Sequence, residues 1–293
     1  MMTESETKLP RIKFATVIEY LAQAVFLIWI FALLGLLILF LQLSKNVSES
    51  WHAVFRPATV LLISGQSPYQ NQGFYNPPWA LIPFIPMLIF SPFVGEIVIG
   101  VVTIFSYWYA GWKLGASPLL AALIATTPFV LYNAITVNVD WMVALSLIAP
   151  TPLSLILAAA KPQLGFAIII YHFIIGIKRR NIVKLFKDFA PLATLSFLSI
   201  AIYGPWMMAQ NPIDKPWNRG IWPYGIPIGL AILSAAIRGE RKNLSLAALP
   251  FLTPYLAQAS FGLPVLGLLP AQIETALAVI GLWIIRLITR RPI

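Results

Sequence analysis

The charged residues that interrupt long apolar runs are the first candidates for chemistry in this chain. Lys161 stands in the sequence Ala-Ala-Ala-Lys-Pro-Gln-Leu-Gly, between two apolar segments. A lysine in such a setting either extends its ammonium to a water boundary or faces an anion, because an isolated charge is costly in an apolar medium. Pro162 can begin the next helix. The pattern fits a plain helix boundary and also a lysine directed at a lipid-linked phosphate.

Three acidic residues lie in comparable surroundings. Asp140 follows Asn138 between apolar runs, where a carboxylate most simply caps an interfacial helix. Glu274 lies about ten residues into the last apolar segment, and Glu96 lies nearer a boundary. An acid at such a depth needs a partner, so a packing role within a helix bundle explains these residues as well as a functional role does.

The motifs of soluble enzymes are absent from the sequence. It contains neither a phosphate-binding Walker loop nor a Gly-x-Gly-x-x-Gly fingerprint. His52 and His172 are far apart in sequence and neither is near a third metal ligand, so we expect no metal site. With no cysteine, thiol chemistry is also excluded.

The composition indicates a membrane protein. Hydrophobic residues make up 59% of the 293 residues and charged residues only 10%, against roughly 25% charged in a soluble domain. The net charge of +10 could suggest a nucleic-acid partner. Its basic residues, however, form short clusters between apolar runs, which is typical of membrane orientation. We therefore expect lipid, not nucleic acid, as the partner.

The apolar segments predict an all-α, polytopic membrane protein with about ten spanning helices, in the range of eight to twelve. The whole chain, 1–293, is expected to form a single transmembrane domain. The predicted spans are 20–43, 78–92, 93–112, 118–136, 139–158, 162–177, 189–208, 226–237, 244–261 and 265–287.

The basic residues predict the orientation of the chain. With ten spans, fourteen of the twenty basic residues fall on one side and six on the other. By the positive-inside rule the richer side is cytoplasmic. We therefore expect a multi-pass protein of the plasma (inner) membrane with both termini in the cytoplasm, including the segment 1–19. The six residues expected outside are Lys45, Arg56, Lys113, Lys161, Lys215 and Arg219.

Two long loops are expected on the outer side, at 44–77 and 209–225. In the first, Pro57 and Gly65 bracket an apolar stretch as a helix start and stop do. This predicts a membrane-surface helix around 57–64. The second loop is rich in Trp and Tyr, which usually anchor a chain at the membrane boundary.

Three stretches carry a resemblance to a known family. They are Ser64-Gly-Gln-Ser-Pro-Tyr69, Tyr75-Asn-Pro-Pro-Trp79 and Lys161-Pro-Gln163, and their order and spacing agree over roughly residues 20–190. With them the chain resembles the GT-C superfamily of integral-membrane glycosyltransferases, and most closely the bacterial polyprenol-phosphate-mannose-dependent mannosyltransferases. The family has a large first outer loop with membrane-surface helices. It also has a later Lys-Pro before a span that ends in a basic inner loop, as Lys178-Arg-Arg180 does here.

The resemblance implies transfer of a mannose-like sugar from a polyprenyl phosphate to an acceptor hydroxyl at the outer face, without a further cofactor. The family's general base is an aspartate just after the first span. Here Ser50 stands at that position, so Glu49 is the expected base and Asp214 the second candidate. Residues assigned to the donor phosphate are Lys161, Arg56, Arg219 and Gln163. Residues assigned to the sugar and acceptor pocket are Tyr69, Tyr75, Asn76, Trp79 and Trp217.

Two other classes of function stay open at this stage. The chain could be a non-catalytic membrane protein, either a degenerate glycosyltransferase that binds a lipid-linked ligand or a structural subunit of a larger assembly. A transporter is the third class, and it is disfavoured because the sequence has no repeated pair of broken helices.

Overall fold

The structure is a computed structural model that describes residue 21, residues 23–25, residue 29, residues 50–206 and residues 218–289. Within these residues every regular element is a helix, apart from one isolated antiparallel bridge between Asn218 and Ala257. The predicted all-α class is thereby confirmed for this part of the chain. The site candidates Glu49, Asp214 and Trp217 lie outside the described residues.

The predicted outer loop 44–77 contains short helices. A π-helical turn, Ser50–Phe55, leads directly into α1, Arg56–Ile63, and a 3₁₀ turn follows at Pro68–Gln70. Helix α1 confirms the helix predicted around 57–64. The next segment was predicted as an α-helical span at 78–92, and here the prediction is wrong. It is a 3₁₀ helix, Pro78–Ile89, because Pro83 and Pro86 inside it lack the N–H groups that an α-helix needs.

The remaining helices follow from Pro92 to Thr289. They are α2 (Pro92–Lys113), α3 (Pro118–Ala125), α4 (Pro128–Thr136), α5 (Asp140–Ser146), α6 (Thr151–Ala159), α7 (Pro162–Lys178), α8 (Ile182–Tyr203), α9 (Ile226–Arg238), α10 (Leu244–Ala247), α11 (Leu249–Leu252), α12 (Gly262–Gly267) and α13 (Gln272–Thr289), with a 3₁₀ turn at Gln258–Phe261.

A repeated dipeptide starts three of these helices. Ser91-Pro92, Ser117-Pro118 and Thr127-Pro128 each place a hydroxyl at the N-cap and proline at the first helical position. Each hydroxyl accepts a hydrogen bond from a backbone N–H of the first turn, at 3.2 to 3.4 Å. The hydroxyl thus satisfies one of the backbone N–H groups that a helix start leaves without a partner. The proline already has the φ angle that a helix needs.

Two described helices, α2 and α8, are long and apolar enough to cross a membrane, and the number rises to three if α3 and α4 form one bent span. The described residues therefore do not support the prediction of about ten spans, and the predicted span 20–43 lies mostly outside them. The segment 118–136 bends by 56° before Pro128. Prolines also divide 244–261 into short helices and separate α12 from α13.

The largest departure concerns the span predicted at 139–158. Two short helices, α5 and α6, replace it and run antiparallel to each other. Lys161 reaches Asp140 at one end of this hairpin, and the Ser154 hydroxyl donates to the Ser146 carbonyl at 2.6 Å near the other. Helices of seven and nine residues extend only about 10–14 Å at 1.5 Å per residue. Neither can cross roughly 30 Å of hydrocarbon.

The hairpin changes which basic residues lie at the same end of the helix bundle. Its connecting loop, residues 147–150, borders a cleft together with Lys113, while Lys242 donates to the Ser146 carbonyl at 3.2 Å. Lys113 and Lys242 therefore lie at the same end of the hairpin, although the sequence predicted opposite sides. The sequence assigned each loop to a side by counting ten alternating spans, which we call the parity count. That count failed because it treated the hairpin as a crossing.

Candidate functional site

Two of the motifs that carry the family resemblance contact each other and the chain just before the third motif. The Tyr69 hydroxyl donates to the Asn76 carbonyl at 2.9 Å, and the Asn76 side-chain amide donates to the Ala160 carbonyl at 2.9 Å. The Trp79 indole N–H donates to the Ile156 carbonyl at 3.3 Å. Segments about 80 residues apart are thus joined by the side chains of Asn76 and Trp79. We call this assembly the motif junction.

An aromatic cluster completes the motif junction. Trp206, just after α8, stacks on Tyr69 with parallel rings 5.9 Å apart and meets Trp79 edge-on. Tyr203 contacts Tyr69 edge-on at 6.1 Å. Burial raises the pKa of Tyr69 far above its ordinary value, and Tyr203 adds to the shift. Tyr69 is therefore a neutral hydrogen-bond donor at any physiological pH.

Lys161 lies in the turn that Asn76 of the motif junction contacts. Its ammonium is already paired within the protein. Its ammonium donates to the Asp140 carboxylate and, at 2.9 Å, to the Asn138 side-chain oxygen. Only 5% of Lys161 and none of Asp140 is exposed. The expected phosphate ligand is therefore the cation of a buried ion pair. Lys161 is also the residue before Pro162 at the start of α7, which is the plain helix boundary that the sequence allowed.

The same contact corrects the predicted location of Asp140. The parity count placed Asp140 near the inner face and Lys161 on the outer side, whereas the two residues touch. Asp140 is the first residue of α5, and Val139 precedes it at the N-cap. Each charge satisfies the other, which is what an apolar environment requires.

The loop before Asp140 is held in an uncommon backbone conformation. Val137 ends α4 with φ at +50°, a left-handed geometry that β-branched residues rarely adopt. The Asn138 side-chain oxygen accepts from the Val139 N–H at 2.9 Å, which fixes the oxygen that also faces Lys161. Strain of this kind persists where the surroundings determine the conformation. Here the surroundings include the buried ion pair.

Several buried polar atoms near the ion pair have no hydrogen-bond partner among the described residues. They include the second carboxylate oxygen of Asp140, the Tyr107 hydroxyl and both side-chain polar atoms of Asn133. Buried polar atoms are normally hydrogen-bonded, so these atoms are exceptions within the described part of the chain.

Gly165, just after the third motif, allows α6 and α7 to approach closely. A methyl group at Gly165 would lie 1.9 Å from the Ala158 carbonyl oxygen. No larger residue fits this position without separating the helices. Gly165 therefore sets the sharp turn at Lys161 that presents the Ala160 carbonyl to Asn76.

An apolar groove of about 570 Å³ begins beside the motif junction and runs between α7 and α9. Pro162 and Gln163 line it at the start of α7, and Trp222 lines it before the start of α9. The Gln163 backbone carbonyl accepts from the Thr253 hydroxyl at 2.8 Å. Farther along α7 and α9 the lining is hydrocarbon and aromatic, from Phe166, Ile170, Ile226, Leu230 and Leu233.

The two arginines proposed for the donor phosphate occupy different places. Arg219 is exposed, and its backbone N–H donates to the Leu256 carbonyl at 2.8 Å. The two segments that this bond joins also contain Trp222 and Pro254, which line the groove. Arg56 instead lies over the Trp51 ring, 5.8 Å from its centroid, and donates to the Phe90 carbonyl at 3.4 Å. Arg219 is therefore in the segment that reaches the groove at Trp222, and its guanidinium donates to the Asn218 carbonyl at 3.3 Å.

Tyr75 and the two histidines have separate environments. Tyr75 is 45% exposed, in contrast to its neighbours in the motif. His52 pairs with Glu96 at 3.1 Å. His172 contacts the Ser154 hydroxyl at 3.2 Å, near the loop end of the hairpin. In the described part of the chain no three metal-ligating side chains come together.

The basic clusters after α7 and α9 are joined through Glu240. Glu240 accepts from Arg179 at 2.7 Å and from Lys178 at 3.2 Å. The hydrogen bond from Arg179 is the main cause that lowers the pKa of the Glu240 carboxyl. Burial lowers the pKa of neighbouring Lys242 to about 8. The loops after α7 and α9 therefore lie side by side.

Sequence reasoning missed the partner of Lys161 and the role of Trp206. Lys161 and Asp140 were each recognised as a charge that needs compensation, and Pro150 between them is a helix-breaking signal. Together these features could have suggested a hairpin with the two charges paired at its open end. Trp206 follows Gly204 and Pro205 without a motif of its own, and only the packing reveals it.

A scan of protein-family models and searches of curated proteins and of solved structures each found no match to this chain. The GT-C family accordingly enters below as a proposal.

Proposed function

We propose that this chain is a GT-C-like glycosyltransferase of the plasma membrane, with many spans and both termini in the cytoplasm. It moves a mannose-like sugar from a polyprenyl phosphate to an acceptor hydroxyl at the outer face. The observation that carries this proposal is the motif junction. Tyr69, Asn76 and Trp79 belong to motifs noted separately along the sequence, and hydrogen bonds join them to the turn at Lys161.

The groove between α7 and α9 supports a lipid-linked donor. Its hydrocarbon lining suits a polyprenyl tail, and Gln163, two residues from Lys161, lines one end of it. The exposed Arg219 lies beside that end, where its guanidinium can pair with a phosphate. A donor in this position has its sugar at the motif junction and its tail between the two helices.

Lys161 serves as a positioning residue in this scheme. Its ammonium holds Asp140 and Asn138 and thereby fixes the turn that Asn76 contacts. Arg219 and Gln163 are then the groups of the described chain that receive the phosphate. Neutralising the charge of a leaving phosphate lowers the barrier to its departure.

The transfer needs one base and no redox partner. The base removes the proton of the acceptor hydroxyl, and the hydroxyl oxygen forms a bond to the anomeric carbon with inversion. The bond between that carbon and the phosphate oxygen breaks, and its electron pair leaves with the polyprenyl phosphate. We propose Glu49 as the base and Asp214 as the second candidate, since both belong to the predicted outer loops.

The test is sugar transfer by the purified protein in lipid vesicles, with radiolabelled polyprenyl-phosphate mannose as donor. Glu49→Gln should reduce the rate by about 10²- to 10⁴-fold, the usual contribution of a general base, and leave donor binding unchanged. Asp188→Asn is the control, because it removes a carboxylate that pairs with Lys184 on α8. If Glu49→Gln transfers as fast as the wild type, Glu49 is not the base, and Asp214→Asn is then tested.

A non-catalytic protein that binds a lipid-linked ligand is the second candidate function. Ser50 favours it, because serine stands where the family has its catalytic aspartate. The same vesicles separate the two candidates. Donor binding without any transfer supports the non-catalytic candidate, and the absence of both binding and transfer contradicts both.

A further inference from the structure

A second cleft lies at the opposite end of the hairpin from the motif junction. Its volume is about 490 Å³, and it separates the last turn of α2 from the loop that joins α5 to α6. Lys113 and Tyr109 form one wall. Pro150, Leu153 and Leu157 belong to the other wall. The proposed sugar transfer uses none of these residues.

A cation stands at one edge of this cleft. Lys113 is the last residue of α2 and is exposed, with its ammonium 4.7 Å from the Trp112 ring centroid and 5.6 Å from that of Tyr109. Because α2 has 22 residues and is apolar enough to span a membrane, its end reaches the level of the lipid headgroups. Aromatic rings and lysine at that level are the side chains that meet headgroups.

The opposite wall is hydrocarbon. Leu153 is 48% exposed, and Leu157 lines the cleft one helical turn farther along α6. A soluble anion would find a single ammonium here and apolar surface around it. A phospholipid matches both features, because its acyl chain covers the leucines while its headgroup meets the lysine.

We propose that this cleft binds one phospholipid with an anionic headgroup. The headgroup charge pairs with Lys113, and an acyl chain lies against Leu153 and Leu157. Lys113 is at the same end of the molecule as Lys242 and the Glu240 ion pairs. The lipid therefore belongs to the leaflet that faces the basic loops, on the other side from the proposed sugar transfer. The proposal does not depend on that activity.

The test compares two lipids with identical acyl chains, phosphatidylglycerol and phosphatidylcholine, added to the full-length protein in neutral detergent. Native mass spectrometry measures the lipid that stays bound. We expect phosphatidylglycerol to bind about fivefold more tightly, the effect of roughly one lysine near an anionic headgroup. Lys113→Ala should remove the preference, and Lys113→Arg should keep it.

Two further variants decide between a site and a general charge effect. Arg238→Ala is the matched control, because Arg238 is an exposed basic residue at a helix end but does not line the cleft. It should retain the preference. Leu153→Trp should lower retention of both lipids by filling the cleft. Equal binding of the two lipids to the wild type, equal losses in Lys113→Ala and Arg238→Ala, or displacement by millimolar inorganic phosphate would each overturn the proposal.

Discussion

Lys161 and Asp140 are 21 residues apart in the chain, yet they form a buried ion pair at the open end of the hairpin. A buried pair contributes little net stability, because desolvation offsets the attraction between the charges. Its effect appears when one partner is removed and the other is left unpaired. The pair therefore determines the arrangement of α5, α6 and the motif junction more than it adds to total stability.

Removing only the lysine should be severe. Lys161→Met leaves Asp140 charged and buried, and we expect unfolding in detergent to become easier by about 3–5 kcal/mol. The double variant Asp140→Leu with Lys161→Met should recover most of this loss. Denaturant titration followed by tryptophan fluorescence measures both effects.

An exposed ion pair supplies the control for this prediction. Lys184 and Asp188 lie one turn apart on α8, with the lysine side chain 61% exposed. Lys184→Met should cost only ~0.3–0.5 kcal/mol, as for other exposed pairs on a helix. If Lys161→Met costs no more than Lys184→Met, the buried pair does not exist in the folded protein.

At the scale of single residues, the sequence singled out Tyr69, Asn76, Trp79 and Lys161. The first three meet at the motif junction, and Lys161 follows Ala160, whose carbonyl Asn76 contacts. The pairing of Lys161 with Asp140 was missed because it depends on α5 and α6 turning back on each other. Hydropathy cannot distinguish that hairpin from a single span of the same length.

The groove between α7 and α9 gives a prediction at the scale of helices. Leu230 lines the groove, so Leu230→Trp should fill it and lower binding of a polyprenyl phosphate about tenfold, which corresponds to roughly 1.4 kcal/mol. Ile228 is on the same helix, is similarly exposed at 52% and does not line the groove. Ile228→Trp should leave binding unchanged.

The measurement is binding of radiolabelled polyprenyl phosphate to the protein in vesicles. A short water-soluble prenyl phosphate serves as a second ligand, because it keeps the phosphate and lacks most of the tail. Its binding should change little in Leu230→Trp. Equal losses in the two tryptophan variants would show that the groove does not hold the tail.

Prolines explain most of the differences between predicted and observed helices. Pro128 starts a new helix inside the predicted span 118–136, and Pro150 precedes the second helix of the hairpin. Pro83 and Pro86 tighten the segment after the outer loop into a 3₁₀ helix. Spans without such interruptions, α2 and the segment 162–177 that forms α7, were predicted within a residue or two. The length of each apolar run predicted where a helical segment lies. The prolines determined whether that segment is one helix or is broken into shorter ones.

The distribution of charge over the whole molecule changes once the hairpin is recognised. Lys113 lies at the same end of the hairpin as Lys242, and Lys178 and Arg179 pair there with Glu240. Lys161, at the opposite end of the hairpin, is neutralised by Asp140. By the positive-inside rule, this grouping of the described basic residues favours a cytoplasmic position for the end that carries Lys113.

Cysteine labelling tests this arrangement directly, because the natural chain has no cysteine. Lys113→Cys and Arg238→Cys replace exposed residues, and Tyr75→Cys replaces a residue that is 45% exposed in the outer loop. A membrane-impermeant maleimide applied to intact cells should label only the position-75 variant. After lysis the variants at 113 and 238 should react as well.

The parity count, which treats the hairpin as a span, predicts instead that positions 113 and 238 lie on opposite sides. Labelling of position 113 but not 238 from outside would restore that count and exclude the hairpin. Labelling of both from outside would keep the hairpin and invert the orientation, which would place the proposed sugar transfer on the cytoplasmic face.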